Sequence, residues 1–182
     1  MIQICAKFGG QPWGLKGLPM MDKPTMIIGI DVIHMVGRNK LSLVGFAASM
    51  DRYVSKYYID SISKGNPKKK KIQDMTFELE PLFQKAILKF KEENKIAPQR
   101  IIVYRDSISE GQNSVILRKE VPQLQQAITK LRDMGELAEE IGFVYLVANK
   151  KIEQRFCVAK QGGYYENPKQ GLVIEDTITR PD

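Results

Sequence analysis

The hydrophobic pattern along the chain changes period once, and that change organises the sequence. Thr25 to His34 (TMIIGIDVIH), Leu41 to Met50 (LSLVGFAASM) and Lys56 to Ile62 (KYYIDSI) are β-rich apolar stretches separated by short polar breaks. Three strands joined by short links predict an antiparallel meander. Lys64 to Lys71 (KGNPKKKK) reads as a solvated turn and loop. From about Asp74 the spacing becomes helical: Met75, Leu79, Leu82, Phe83, Ala86, Ile87 and Phe90 fall on one face. Pro81 suits a first helical turn, so the regular helix is expected to begin near Glu80, with Asp74 on a loop or irregular turn. Arg100 to Tyr104 (RIIVY) predicts a buried strand ending at Arg105-Asp106. A second helix follows over Ser114 to Arg132, with Pro122 near its beginning, and then a strand at Phe143 to Ala148 (FVYLVA). A basic segment, a turn at Gly162-Gly163 and a β-like stretch from Gly171 to Thr179 complete the chain.

The order β-β-β-α-β-α-β predicts an α/β fold with a mixed sheet flanked by helices, a meander first and crossover units after it. This is the succession of a ribonuclease H-like core, an order that several folds share. No repeat or linker divides the chain, so one domain over residues 1–182 is expected. No apolar run approaches the roughly eighteen residues of a spanning helix, so no membrane partner is expected. Two cysteines, Cys5 and Cys157, are too few for a disulfide framework or a thiolate zinc site, and a reducing, intracellular setting is the default. The 28 Lys and Arg residues against 21 Asp and Glu leave a net charge of +7, which leans towards a polyanionic partner. A single histidine, His34, excludes a His-pair metal site within this chain; a strand-end histidine is more often a structural residue, and His34 is not assigned to a metal.

Two acids stand where chemistry is expected. Asp31 interrupts a strand of Met, Ile, Gly and Val, a costly place for a carboxylate that is not paired or bound to a cation. Asp106 ends the other strongly apolar strand, at the edge where open α/β sheets carry their sites. On neighbouring strands the two carboxylates would converge and suit a hard divalent ion such as Mg²⁺. Spacing alone leaves the plainer alternative open, in which Asp106 before Ser107 is a turn former or helix cap. Trp13 reads as a core aromatic rather than a base-stacking platform.

Six segments in order carry a family resemblance: QICAKFGG (3–10), IIGIDVIH (27–34), LVGFAAS (43–49), RIIVYRDSISEGQ (100–112), VPQL (121–124) and NPKQGLVIEDTITRP (167–181). Together they resemble the PIWI domain of Argonaute proteins, the Piwi clade above all. The resemblance implies a ribonuclease H-like fold that binds a small, piRNA-like guide RNA. In active members it also implies cleavage of the paired target RNA by an acidic tetrad with two Mg²⁺ ions, Mn²⁺ being the alternative ion. Asp31 and Asp106 match the first two catalytic aspartates and the metal ligands among them. Asp74 falls where the family carries a glutamate on a finger between the third strand and the first helix. Aspartate is one methylene shorter, so the charge is expected about 1 Å short, enough to cost orders of magnitude in rate, unless the longer loop before it compensates or brings Glu78 or Glu80 into the position. Glu78 and Glu80 read as solvated helix surface. The tetrad's fourth member, usually a histidine, is expected beyond Asp182 together with a strand-helix segment, so the resemblance implies an incomplete domain that exposes apolar surface on its own.

The same resemblance places Gln3 and Lys7 at polar positions that help bind the guide's 5′ phosphate. It places Lys150, Lys151 and Arg155 on a basic segment that runs along the guide backbone. Lys68 to Lys71 read as loop charge close to target phosphate. The expected partners are a guide RNA, a target RNA and proteins of a silencing complex. Two further readings stand beside the slicer: a Piwi protein that carries guides and recruits partners without cutting, which Asp at position 74 favours, and a guide-independent nuclease of the same fold.

Overall fold

The computed structural model describes residues 1–34, 41–65, 78–106, 113–137, 140–150 and 155–174. The chain forms two compact units, Met1–Lys150 and Lys151–Asp182.

The first unit opens with a short helix, α1 (Ile2–Lys7), which buries none of its residues. The meander follows as β1 (Thr25–His34), β2 (Leu41–Ser49) and β3 (Tyr57–Gly65). β1 pairs antiparallel with β2, and β2 with β3, as the short links require. α2 (Glu80–Asn94) then leads to β4 (Arg100–Asp106), and α3 (Asn113–Asp133) to β5 (Gly142–Ala148). β4 lies parallel to β1 on one side and to β5 on the other, so the sheet order is β3-β2-β1-β4-β5. This is the mixed sheet of a ribonuclease H-like fold.

Strand alternation decides which side of the sheet is core. Met26, Ile28, Ile30, Val44, Phe46, Ala48, Ile101 and Val103 point to one face and are buried. α2 covers that face with Leu82, Phe83, Ala86, Ile87 and Phe90, and α3 with Leu124, Ala127, Ile128 and Leu131. Phe83 meets Phe143 edge-on, with ring centroids 6.3 Å apart, and so joins α2 to β5. The start of α2 is fixed by α3: the Leu79 N–H donates to Gln123 Oε1 at 3.1 Å, and Lys130 Nζ donates to Glu80 Oε1. The opposite face of the sheet exposes Ile33, Tyr57, Ile59, Tyr104, Val144 and Leu146.

Helix limits follow local chemistry. α2 begins at Glu80 with Pro81 in its first turn, and ends at Lys95 in the left-handed conformation (φ 60°). α3 begins and ends within one residue of the expected Ser114 to Arg132, but Pro122 sits in the helix interior rather than near its beginning. There it cannot donate to the Arg118 carbonyl, a defect tolerated because Leu124, Ala127, Ile128 and Leu131 still bury one face. Trp13 is 68% exposed, contrary to the core expectation. Its segment folds outside the sheet, held by the Leu15 N–H to Tyr53 carbonyl bond, and an aromatic with Gly and Pro neighbours has no periodic face to carry it inward.

The second unit contains a two-strand ribbon, β6 (Val158–Ala159) and β7 (Tyr165–Glu166). Its turn uses Gly162 (φ 93°) and Gly163 (φ 78°), a backbone path that a side chain would strain. The described part of the expected final β stretch, residues 171–174, is irregular rather than strand; the rest of it lies outside the described residues. Gly171 (φ 86°) breaks the extended path where that stretch was expected to begin.

Candidate active site

β1 and β4 run parallel at a constant register, with Thr25 beside Arg100 and Ile30 beside Arg105. Continued by one residue, that register puts Asp31 level with Asp106. Adjacent strands lie about 4.8 Å apart and residues level with each other share a face, so both acids project from the open side of the sheet near the strands' C-terminal ends. Asp31 is exposed and Asp106 half-buried. The room over them comes from glycine. Gly29 precedes Asp31 on the same face and Gly45 lies opposite it on β2. A Cβ at Gly29 would meet nothing within 4 Å, and one at Gly45 only the Asp31 carbonyl at 4.0 Å. The arrangement is therefore two carboxylates with clear space above; the turn or cap that was the alternative for Asp106 involves residues 107–112, which lie outside the described residues.

Asp106 has two unlike oxygens. Oδ2 accepts a hydrogen bond from Lys150 Nζ at 2.7 Å, whereas Oδ1 is buried and has no hydrogen-bond partner among the described residues. A buried carboxylate oxygen without a donor is unfavourable unless a cation takes it, so the donor set fits a hard divalent ion. Asp31 and Asp106 are the residues that would hold it. Among the described residues no third His, Cys, Asp or Glu joins them to complete a metal cluster. The hydrogen bond and charge of Asp106 raise the Lys150 ammonium above its ordinary value, with a smaller contribution from Asp31.

Beneath this edge lies a polar network that sequence reasoning missed. Arg105 alternates to the helix-covered side, where its guanidinium is buried. Its Nε and Nη2 donate to Glu120 Oε2 and Oε1 at 3.0 and 3.2 Å, and its Nη1 donates to the Asp106 carbonyl. Tyr145 Oη donates to Glu120 Oε2 at 2.7 Å. Burial, and then the Glu120 charge, push the Tyr145 phenol far up, so it stays a donor. One guanidinium thus connects β4, α3 and β5, and holds the peptide carrying Asp106 from below. The signal was a charged residue on the inward side of a buried strand, with an acid in the following helix.

The other expected positions are distributed along the chain. Gln3 and Lys7 lie on α1, one helical turn apart and therefore on one face, and both are exposed. Lys150 is mostly exposed at the end of β5 but is engaged by Asp106. Arg155, in the second unit, is exposed. Glu78 is exposed, and Glu80 is paired with Lys130 rather than free surface charge. Asp74, Lys151 and Lys68 to Lys71 lie outside the described residues.

A meander followed by two parallel crossovers, with paired acids on neighbouring strand ends, defines a ribonuclease H-like domain. Comparison with known proteins gives the family. The Piwi domain model matches residues 1–182, and the chain belongs to that family. It is 31% identical over 183 residues to the Piwi-like protein Siwi of Bombyx mori and 30% identical over 181 residues to Piwi-like protein 1 of Gallus gallus. Each alignment covers all of this chain and 19% of the relative, so the chain spans about a fifth of those proteins. The crystal structure of Drosophila Piwi superimposes with a TM-score of 0.63 at 24% identity, over 80% of this chain and 18% of that one. The last likeness speaks for the fold.

Proposed function

We propose that this chain is the catalytic part of a protein that carries a small, piRNA-like guide RNA and cuts the target RNA paired with it. The observation that carries the reading is the placement of Asp31 level with Asp106 on the open face, with one Asp106 oxygen lacking a partner among the described residues. When bound there, Mg²⁺ (or Mn²⁺) supplies an activated water and charge stabilisation at the cut phosphate. The chain's own residues hold it: Asp31 and Asp106 offer the oxygens, and Arg105 keeps the Asp106 peptide in place. Asp74 would close the site as a shorter substitute for the family's finger glutamate.

Guide binding would rest on cations that make no distinction between sequences. Lys7 with Gln3 suits a terminal phosphate, while Lys150, Lys151 and Arg155 suit the guide backbone. A net charge of +7 agrees with such a partner. An intracellular setting, cytoplasm or nucleus, agrees with the two free, exposed thiols of Cys5 and Cys157.

Asp31→Ala in the full-length protein is the test. It is expected to abolish guide-dependent target cleavage while leaving guide binding intact; unchanged cleavage overturns the reading. A second reading, a guide carrier that recruits silencing partners without cutting, is favoured by Asp rather than Glu at position 74. Comparing wild type with Asp74→Glu separates them. No cleavage by the wild type and a gain on restoring Glu favours the carrier, whereas robust wild-type cleavage favours the slicer.

A further inference from the structure

Lys150 was expected on the guide backbone, yet its ammonium lies on the acid pair. Among the described residues it is the one cation in ion-pair contact with either acid, through Asp106 Oδ2 at 2.7 Å. The contact has a physical cause. Two carboxylates level with each other on adjacent strands repel, and a positive charge at their rim relieves that repulsion. The lysine meets only part of the demand, because it engages Oδ2 and leaves the buried Oδ1 without a donor among the described residues. A divalent cation would take the unpartnered oxygen and would also compete with the ammonium for the carboxylate charge. It would repel the ammonium as well. The side chain is free to leave: it is 72% exposed, at the end of β5, on a flexible four-carbon stem.

We propose that Lys150 is a displaceable counter-ion of the Asp31–Asp106 pair, bound to Asp106 until a divalent cation releases it to meet a nucleic-acid phosphate. The inference rests on the metal-site reading above and adds an order of events to it. The site's own lysine keeps the acids neutralised before the ion arrives, and the ion's arrival turns that lysine outward at the edge where a phosphate would lie. Lys150 is thus a positioning residue rather than a metal ligand.

Mn²⁺ binding to the protein, read from the electron paramagnetic resonance signal of the free ion, tests this without any cleavage assay. Lys150→Met removes the competing charge and is expected to tighten Mn²⁺ by about three- to five-fold, the scale of an exposed ion pair. Lys150→Arg, which keeps the charge, is expected to stay near wild type. The second readout is the salt dependence of single-stranded RNA binding. Lys150→Met is expected to reduce its log–log slope by about 0.7, the value of one phosphate contact, in Mn²⁺ but not in chelator. Unchanged or weaker Mn²⁺ binding in Lys150→Met, with binding still lost in Asp31→Asn, overturns the role of Lys150 alone. A wild type that binds no Mn²⁺, or binds it equally as Asp31→Asn, overturns the ion site and this inference together.

Discussion

The Arg105 guanidinium lies flat against the Glu120 carboxylate, two hydrogen bonds of 3.0 and 3.2 Å between side chains that are 3% and 8% exposed. The pair joins the last residues of β4 to the middle of α3, directly under the peptide of Asp106. Its position gives it two tasks, since the same contact closes the core and sets the height of an acid on the opposite face.

Removing one partner of that pair leaves a buried charge alone. Arg105→Met is expected to destabilise the protein by about 3–5 kcal/mol, and the double variant Arg105→Met/Glu120→Leu by clearly less than the two single losses together. Tyr145→Phe removes one hydrogen bond to a charged acceptor and is expected to cost about 1.5–3 kcal/mol. Urea denaturation of the wild type, the two single variants, the double variant and Tyr145→Phe checks all three statements.

The turn between β2 and β3 depends on one carboxylate. Asp51 accepts the backbone N–H groups of Tyr53, Ser55 and Lys56 and the Ser55 hydroxyl, with Val54 held at φ 51° between them. Burial pushes its carboxyl up, but those donors outweigh burial and the net shift is downward. A folded value below the unfolded one means the stabilisation is present above about pH 4, and is lost as pH falls through the folded value. Asp51→Asn is expected to flatten that acid limb and to lower stability at neutral pH by about 1 kcal/mol. Denaturation midpoints between pH 3 and 7 are the measurement; an unchanged acid limb would count against this account of the turn.

Phe83 is fully buried at the centre of the helix-covered face and meets Phe143 across the α2–β5 contact. Phe83→Ala is expected to cost about 3–5 kcal/mol, while Leu88→Ala, on the exposed side of the same helix, stays within about 0.5 kcal/mol. Thermal unfolding of both variants separates core packing from helix propensity.

An ion bound by the native acid pair stabilises the fold by mass action. Mg²⁺ at ten times its dissociation constant is expected to add about 1.4 kcal/mol, visible as a rise in Tm. Asp106→Asn is expected to remove that rise while keeping a folded protein, since the amide has the same size and keeps an oxygen for Lys150. Equal stabilisation of both proteins would place the ion elsewhere.

The Lys95 φ of 60° is a left-handed cap that glycine adopts without strain. Lys95→Gly is expected to raise stability by a few tenths to about 1 kcal/mol, measured by the same denaturation. A loss would show that the lysine stem contributes packing that outweighs its backbone conformation.

Much of this protein was legible along the chain because period reports directly on burial. The apolar runs at Thr25–His34 and Arg100–Asp106 and the one-sided spacing from Leu79 to Phe90 predicted their elements nearly residue by residue, and the change of period predicted the meander and crossovers. Asp31 and Asp106 stood out for the same reason: a carboxylate in an apolar strand violates the local pattern. The pattern was silent where no period exists. Trp13 followed an irregular segment into solvent, and the described part of the last expected strand is irregular.

The sequence by itself determined the five strands of the main sheet, the two long helices and which two acids break the apolar pattern, since each of these depends on neighbours a few residues away. Only the tertiary structure decided that β1 and β4 align so that Asp31 meets Asp106, that Lys150 reaches the second of them, and that Arg105 is paired from α3. Register between strands 75 residues apart is a sum of packing across the whole sheet, and no local pattern encodes a charge's partner on another element.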